Sequence, residues 1–290
     1  MNLERLTKLM GTYLLLSFVA CIFVIPIIFM IISSLKPDYQ LLLDTSSMRA
    51  FLPVGDISLD NYFSAFRRAP IGLFVFNSTF ITATTLVFTL FLASIAAFSF
   101  VFIEWRGKAT VLAIIIATYI LPFETVAVPL LLLVNELPWL STEGVTWGWL
   151  NSYQVQIIPF LVRALEIFLF VQYFKDLPKD LIEAARVDGA SWFQVYRRVV
   201  MPLSGPVIAT VAILKSLEMF NGQYLWPIMT VQSEEYRPVM VGLQYFFQTG
   251  TTHWGEIMAF LTIITLPVLV FYLVLQRAFI ASIASSGVKG

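Results

Sequence analysis

Apolar residues fall in six long stretches that are separated by shorter polar segments. These stretches cover approximately residues 11–35, 71–103, 109–134, 155–175, 203–226 and 256–279. An α-helix rises about 1.5 Å per residue, so about 20 apolar residues cross the roughly 30 Å hydrocarbon core of a bilayer. The pattern therefore predicts an all-α polytopic membrane protein with six transmembrane helices, organised as a single domain over residues 1–290.

A charged segment at residues 181–202 interrupts this pattern between the fourth and fifth stretches. Apolar and charged side chains are interspersed there at helical spacing: Leu181, Glu183, Ala184, Ala185, Arg186, Val187, Asp188 and Ala190. This spacing is typical of a short amphipathic helix rather than of a membrane span. Such a helix needs a partner surface for its apolar face.

The composition agrees with a membrane protein, because 59% of the 290 residues are hydrophobic and only 12% are charged. Soluble domains carry roughly a quarter charged residues. The single cysteine, Cys21, lies within an apolar stretch, which excludes an internal disulfide. With one histidine, His253, the chain has no set of residues that is typical of a metal site.

The distribution of Lys and Arg predicts the orientation of the chain. Arg5 and Lys8 precede the first apolar stretch, which is long enough to span and has no cleavage site, so it is expected to be a retained signal anchor. With the N-terminus in the cytoplasm, eleven Lys and Arg fall inside, five outside and two within spans. The positive-inside rule then places both termini and the loop at 176–202 in the cytoplasm.

Charged side chains within the predicted spans need a specific reason, because each is costly in hydrocarbon. Arg163 and Glu166 in the fourth span, and Lys215 and Glu218 in the fifth, are each three residues apart and are expected to pair along one helix. These pairs either stabilise helix packing or line a polar cavity near the membrane midplane. The sequence leaves both interpretations open.

Several further polar and aromatic residues are candidates for a solute pathway: Glu124, Asn221, Gln223, Tyr224 and Trp226. Aromatic rings next to amides and carboxylates suit a hydroxyl-rich ligand such as a sugar, which presents apolar faces and hydrogen-bonding edges together. Prolines within the spans predict kinks, or opened backbone groups along a pathway, at Pro122, Pro129, Pro159 and Pro267.

Three outer segments connect the predicted spans. Residues 135–153 contain three tryptophans and predict a surface helix or loop, because indoles prefer the headgroup region. Residues 230–252 are mostly polar and predict a loop with a short helix near 240–247. The long polar segment at 36–70 is expected to pack on the outer surface.

No catalytic group of residues is recognisable in the sequence. It has no phosphate-binding Walker loop, no Ser-His-Asp set and no zinc-binding spacing, so any energy from ATP must come through another chain. An enzyme within the membrane is a distant alternative, in which Glu124, Glu166 or Glu218 would act as acid or base.

The charged loop resembles the EAA signature of permease subunits of bacterial ABC importers. The resemblance rests on Glu183-Ala184-Ala185, Gly189 after three further residues, and Val199-x-Met201-Pro202 after nine more. The family usually has Ile-x-Leu-Pro at the end, so Val199 and Met201 are conservative departures. Other stretches resemble the maltose type of second permease subunit: Asp188-Gly189-Ala190, Tyr224 to Pro227, Asp60-Asn61-Tyr62 and the terminal Gly287 to Gly290.

This resemblance implies the type I importer permease fold, in the bacterial cytoplasmic (inner) membrane. It also implies a homologous second permease subunit, a dimer of ATP-binding subunits that holds ATP and Mg²⁺, and an extracytoplasmic solute-binding protein. No cofactor is expected in this chain, and its remaining contacts are with the lipid bilayer and not with nucleic acid. The solute would be a sugar or oligosaccharide; an anionic or phosphorylated polyol or an acidic saccharide is the alternative, since Arg163 or Lys215 could face an anion.

The resemblance also implies roles for individual residues. The helix around 183–193 would dock in a cleft of the ATPase subunit, where Glu183 makes polar contacts and Ala184 and Ala185 allow close approach. Gly189, beside Asp188, would let the chain turn, and Pro202 closes the signature. The tail at 285–290 either touches the ATPase pair or is a frayed terminus.

Overall fold

The computed structural model describes residues 3–141, 144–247 and 252–287, and most of its regular structure is helical. The helices of the first half are α1 (Leu3–Ser34), α2 (Asp38–Asp44), α3 (Asp60–Arg68), α4 (Ile71–Phe102), α5 (Lys108–Thr118) and α6 (Phe123–Glu136). Those of the second half are α7 (Tyr153–Ile157), α8 (Ala164–Lys175), α9 (Lys179–Val187), α10 (Trp192–Val195), α11 (Met201–Leu203), α12 (Gly205–Leu217), α13 (Leu225–Thr230), α14 (Val239–Gly242) and α15 (Trp254–Gly287). Two π-helical turns lie at Tyr196–Val200 and Glu218–Gly222, and 3-10 turns at Met48–Phe51, Ile158–Phe160, Glu234–Tyr236 and Leu243–Phe246.

Four helical segments of the described chain are long and apolar enough to cross a membrane: Leu9–Ser34, Ile71–Phe102, Tyr153–Lys175 and Trp254–Val274. Two further pairs of helices qualify only when each pair is taken together. They are α5 with α6, bent by 101°, and Trp192–Leu203 with Gly205–Gly222, bent by 77°. The described chain therefore supplies the predicted six spans if each bent pair forms one span.

In both bent pairs a proline lies where the second helix begins. Proline has no backbone N–H, so it disrupts a helix interior but is tolerated at a helix start. Pro122 precedes α6 in an extended conformation, with ψ of 139°. Pro206 lies in the first turn of α12, where the missing donor costs nothing. Pro159 falls in the 3-10 turn that follows α7, whereas Pro129 and Pro267 lie inside α6 and α15.

The Trp-rich outer segment, which was predicted to be a surface helix or loop, contains a β-hairpin, so the helical alternative is wrong. Strand β1 (Pro138–Ser141) pairs antiparallel with β2 (Gly144–Trp147), with Trp139 opposite Thr146. The indole of Trp149 donates to the carbonyl oxygen of Pro138 at 3.2 Å. Aromatic and β-branched side chains fit a pleated ribbon, and this local preference prevails over the helical alternative.

Contacts divide the chain into two compact units. One consists of Met1–Ile71 with Gly242–Pro267, and the other of Gly72–Val241 with Val268–Gly290. The grouping of the whole chain into one transmembrane domain stays a prediction. Each unit is ordered by its own contacts, and both candidate functional regions lie in the second unit.

In the first unit, buried polar contacts order the segment that follows α1. The ammonium group of Lys36 is fully buried and donates to Asp44 Oδ2 at 2.8 Å and to the carbonyl oxygen of Arg49 at 2.6 Å. This hydrogen bond from Lys36 holds the pKa of Asp44 below its usual value. Asn61 donates to the carbonyl oxygens of Ser34 and Lys36 at 3.0 and 2.8 Å, which fixes α3 against the end of α1.

The second unit has two separate hydrophobic cores. The first core joins α4 and α8 to the charged loop and α12, through Ala93, Ala97, Phe98, Ile167, Phe170, Val171, Phe174, Ile182, Val195, Tyr196, Val200, Val207 and Val211. The second core contains Ile81, Val134, Val155, Ile157, Phe160, Met219, Trp226 and Val231. The charged loop is thus packed directly on the ends of two spans.

Candidate functional site

The charged loop folds as two short helices joined by a tight turn. The residue pattern predicted one short amphipathic helix over 181–190, and the family resemblance implied a helix around 183–193. Helix α9 ends in a Schellman motif, in which Gly189 N–H donates to Arg186 O at 3.1 Å and Ala190 N–H to Ala185 O at 3.0 Å. Gly189 has φ of +83°, a left-handed conformation that costs most other residues about 1–2 kcal/mol. Gly189 therefore ends the helix and redirects the chain.

Helix α9 has one face packed inward and another left exposed. Ile182 is 6% exposed within the first core, and Ala185 packs against that core. By contrast, Val187 is 86% exposed and Leu181 46% exposed, and Ala184 lies on the exposed side with them. Because this exposed apolar face lies outside the candidate spans, it is available to a protein partner. Glu183 and Asp188 are also exposed and add charge around it.

Contacts across the Gly189 turn hold α9 and α10 in one arrangement. The guanidinium of Arg186 lies 4.5 Å from the centre of the Trp192 ring and donates to Ala190 O at 2.6 Å. Ser191 and Gln194 form a capping box at the start of α10, with hydrogen bonds of 3.3 and 2.7 Å. The cation–π contact connects α9 to α10 across the turn, and the cap stabilises the start of α10.

The loop is also tied to the spans beneath it. The Tyr196 hydroxyl is hydrogen-bonded to Ser94 of α4 at 2.8 Å, and its ring lies 5.5 Å from Phe98. Tyr173 of α8 donates to Leu203 O at 2.8 Å. Pro202 follows the π-helical turn Tyr196–Val200, where the wider turn accommodates a residue without an N–H. A displacement of α9 and α10 would therefore be passed to α4 and α8.

A second candidate site is a cluster of four charged side chains, Arg163, Glu166, Lys215 and Glu218, which we call the ion cluster. The Lys215 side chain is fully buried, with its ammonium 3.3 Å from Glu166 Oε1 and 3.2 Å from Glu218 Oε2. Arg163 forms an ion pair with Glu218. The two cations and two carboxylates balance, which is the condition under which charges persist in an apolar interior.

The expected pair of Arg163 with Glu166 is wrong, whereas Lys215 does pair with Glu218. Arg163 precedes α8 in an extended conformation, with φ of −124° and ψ of 162°, so it does not share a helix face with Glu166. It reaches Glu218 instead, and Glu166 is paired with Lys215. The ion cluster thus joins the break before α8 to the π-helical turn after α12.

The other predicted pathway residues fall in different surroundings. Gln223 extends the ion cluster, because its amide donates to Glu218 Oε1 at 3.3 Å. Glu124, Asn221 and Tyr224 are exposed. Trp226 is only 1% exposed, and its indole donates to Val155 O at 2.7 Å. In this conformation Trp226 packs in the second core and offers no surface to a solute.

A half-open cavity of about 390 Å³ lies next to Arg163. Thr118 and Tyr119 at the end of α5 and Val162 and Ile167 around the start of α8 form its walls. Cavities of this size accommodate small organic ligands, and the lining combines apolar surface with hydroxyl and guanidinium donors. At the start of α8, a charged residue of the ion cluster, Arg163, therefore lines a cavity.

Sequence reasoning missed two buried hydroxyl residues of α4 that form hydrogen bonds to other segments. Thr89 on α4 is buried and donates to Leu161 O at 2.6 Å, which satisfies a carbonyl near the break before α8. Ser94, one turn further along α4, holds Tyr196. A hydroxyl residue within an apolar span is the only signal that the sequence offered for either role.

The fold and these sites define an integral membrane protein with an exposed apolar helix face outside its candidate spans. Residues 89–285 match the family described as binding-protein-dependent transport system inner membrane component, and the chain belongs to this family. The match includes the whole charged loop, and it confirms the resemblance to importer permeases. The protein is accordingly a transport component of the inner membrane and not an enzyme.

Similar proteins agree with this assignment. The chain is 27% identical to the arabinooligosaccharides transport system permease protein AraQ of Halalkalibacterium halodurans, over 94% of each chain. It is 29% identical to the melibiose/raffinose/stachyose import permease protein MelC of Bacillus subtilis, over 96% of this chain and 95% of MelC. It is 30% identical to the sn-glycerol-3-phosphate permease UgpE of Salmonella typhi, over 75% of this chain and 74% of UgpE.

A solved structure has the same fold. The crystal structure of a bacterial ABC transporter involved in the import of the acidic polysaccharide alginate contains a chain that matches with a TM-score of 0.78. The sequences are 22% identical, and the match covers 96% of this chain and 99% of that chain. The likeness confirms the predicted type I importer permease fold.

Proposed function

We propose that this chain is a membrane-spanning, non-catalytic subunit of an ATP-driven importer for a neutral saccharide. The observation that carries the proposal is the position of helix α9. Its inward face packs on the ends of two spans, and its opposite apolar face is exposed. A face of this kind can transmit movement from a soluble partner to the membrane helices. Membership of a family of binding-protein-dependent transport components supports a role in which such a partner drives transport.

The partners follow from a binding-protein-dependent system. A pair of ATP-binding subunits would hold ATP and Mg²⁺ and receive α9, while a homologous permease subunit would complete the pathway across the bilayer. An extracytoplasmic protein would deliver the solute. Both termini and the loop at 176–202 would lie in the cytoplasm, on the side that carries eleven of the Lys and Arg residues.

The proposed mechanism is a rigid-body transition between two states. Closure of the ATP-binding pair would pull on α9, and the turn held by Arg186 and Trp192 would move α10 with it. The packing of Tyr196 against Ser94 and Phe98 would pass that movement to α4. The spans would then turn from an inward-facing to an outward-facing arrangement, so that solute enters from the binding protein.

The neutrality of the ion cluster supports an uncharged solute. Both cations are already paired, Arg163 with Glu218 and Lys215 with Glu166 and Glu218. An anion could use either cation only by displacing a carboxylate, which would leave that carboxylate without its partner. AraQ and MelC, which are similar over nearly the whole chain, are named for neutral oligosaccharides.

An anionic solute is the second candidate, and one observation favours it. Arg163 lines the 390 Å³ cavity and its side chain is 36% exposed, so it is the cation of the ion cluster that a solute could reach. UgpE is named for a phosphorylated polyol, and the solved transporter imports an acidic polysaccharide.

Competition for uptake separates the two candidates. Cells that carry the complete importer are given a labelled neutral oligosaccharide, with unlabelled neutral, uronic or phosphorylated sugars in excess. We expect neutral oligosaccharides to lower ATP-dependent uptake by about tenfold or more and acidic sugars to have little effect. ATP-dependent uptake of a labelled uronic or phosphorylated sugar, without uptake of the neutral oligosaccharide, would favour the anionic solute.

A further inference from the structure

A second, larger groove lies beside the charged loop, where three spans reach the same side of the membrane. It has a volume of about 620 Å³ and is half open. Its walls come from the end of α4, the start of α5, the end of α8 and one side of α9. This is the level at which lipid headgroups meet a membrane protein, so lipid is the molecule most available to the groove.

The walls combine an apolar base with a cationic rim. Phe102, Phe174 and Trp192 contribute aromatic surface, and the rings of Phe102 and Phe174 are 6.1 Å apart. The rim carries four cations, Lys108, Lys175, Lys179 and Arg186, against two carboxylates, Glu104 and Glu183. The groove therefore favours a molecule with an apolar part and a negatively charged head.

The four cations differ in whether they already have a partner in the structure. Lys108 pairs with Glu104 at 2.8 Å, and Arg186 is held by Trp192 and Ala190. Lys175 and Lys179 are exposed, and neither ammonium group has an ion pair or hydrogen bond within the described residues. These two lysines are the groups that a phosphate head would engage.

We infer that this groove binds an anionic phospholipid of the cytoplasmic leaflet, with its phosphate between Lys175 and Lys179 and its acyl chains along the aromatic base. The cytoplasmic leaflet is the negatively charged one, and each Lys near an anionic surface contributes about 1 kcal/mol to attraction. One wall of the groove is α9 itself, through Ile182, Glu183 and Arg186. A bound lipid would contact α9 without covering Leu181 or Val187 of its exposed apolar face.

Two matched double variants test the inference. K175Q/K179Q removes the two unpaired cations of the groove, whereas R197Q/R198Q removes two exposed cations of the same loop that do not line it. Each variant changes the net charge by the same amount. The full chain, with the subunits that copurify with it, is placed in nanodiscs of phosphatidylcholine with or without phosphatidylglycerol, and retained lipid is counted by native mass spectrometry.

We expect the wild type and R197Q/R198Q to retain phosphatidylglycerol in preference to phosphatidylcholine. K175Q/K179Q should bind it on the order of tenfold more weakly. Equal retention by all three proteins, or no preference for phosphatidylglycerol in the wild type, would overturn the inference. Loss of the ATPase subunit from K175Q/K179Q in pure phosphatidylcholine would instead assign the groove to protein docking, and copurification of that subunit reports separately on the proposed function.

Discussion

Replacing Gly189 with valine is expected to lower ATP-dependent uptake by at least about tenfold while the chain still reaches the membrane. Gly189 has φ of +83°, and a Cβ built there meets nothing within 4 Å, so the cost comes from the backbone conformation and not from a clash. For a β-branched residue that conformation is a strong outlier, worth about 1–2 kcal/mol or more. The turn would open, and α9 would lose its position relative to α10.

Gly189→Asn is the matched control, because asparagine tolerates the left-handed conformation better than other side chains. We expect Gly189→Asn to keep most of the uptake and of the copurification with the ATPase subunit. Membrane levels by immunoblot show whether each variant is made and inserted. Full activity of Gly189→Val would show that the glycine turn has no part in coupling.

Lys215→Met is expected to be the most destabilising single change in the ion cluster. Lys215 is fully buried between Glu166 and Glu218, and its loss leaves two carboxylates with only Arg163. Removing one partner of a buried ion pair costs about 3–5 kcal/mol, because the remaining charge is uncompensated. Purified Lys215→Met should therefore unfold at a clearly lower temperature in detergent, and less folded protein should be recovered.

A second substitution distinguishes charge balance from packing. K215M/E166Q removes one cation and one carboxylate, and the pair of Arg163 with Glu218 remains. The double variant should recover a large part of the lost stability. If Lys215→Met is as stable as the wild type, or if K215M/E166Q is no better than Lys215→Met alone, the cluster does not depend on charge balance.

The sequence predicted the parts of the structure that follow from periodicity. Runs of apolar residues near 20 in length marked the spans, and the spacing from Leu181 to Ala190 marked an amphipathic helix. The family resemblance, and not periodicity, implied that Gly189 lets the chain turn, and the structure has φ of +83° there. These features depend on residues that are close in sequence, so they can be predicted from the sequence alone.

Features that depend on distant residues were not predictable in the same way. Arg163 and Glu218 are 55 residues apart, and their pairing required the break before α8 and the π-helical turn at Glu218–Gly222. The helical alternative for the Trp-rich segment failed for a local reason, because its aromatic and β-branched side chains favour strand pairing. Trp226 looked like a ligand-binding aromatic, but it is buried against Phe123 and Phe160, whose rings both lie edge-on to it.

The exposed face of α9 is most directly tested by site-directed cross-linking. The sole cysteine, Cys21, is first replaced by serine, and single cysteines are then placed at Val187 or, as a control, at Val145 of the β-hairpin; these residues are 86% and 60% exposed. A short thiol-to-amine reagent is applied to membranes that carry the complete importer, and products are identified by mass spectrometry. We predict that Val187→Cys joins the chain to a subunit with a phosphate-binding Walker loop, that ATP changes the yield, and that Val145→Cys gives no such product. Absence of that product from Val187→Cys, or equal yields from both positions, would contradict coupling through α9.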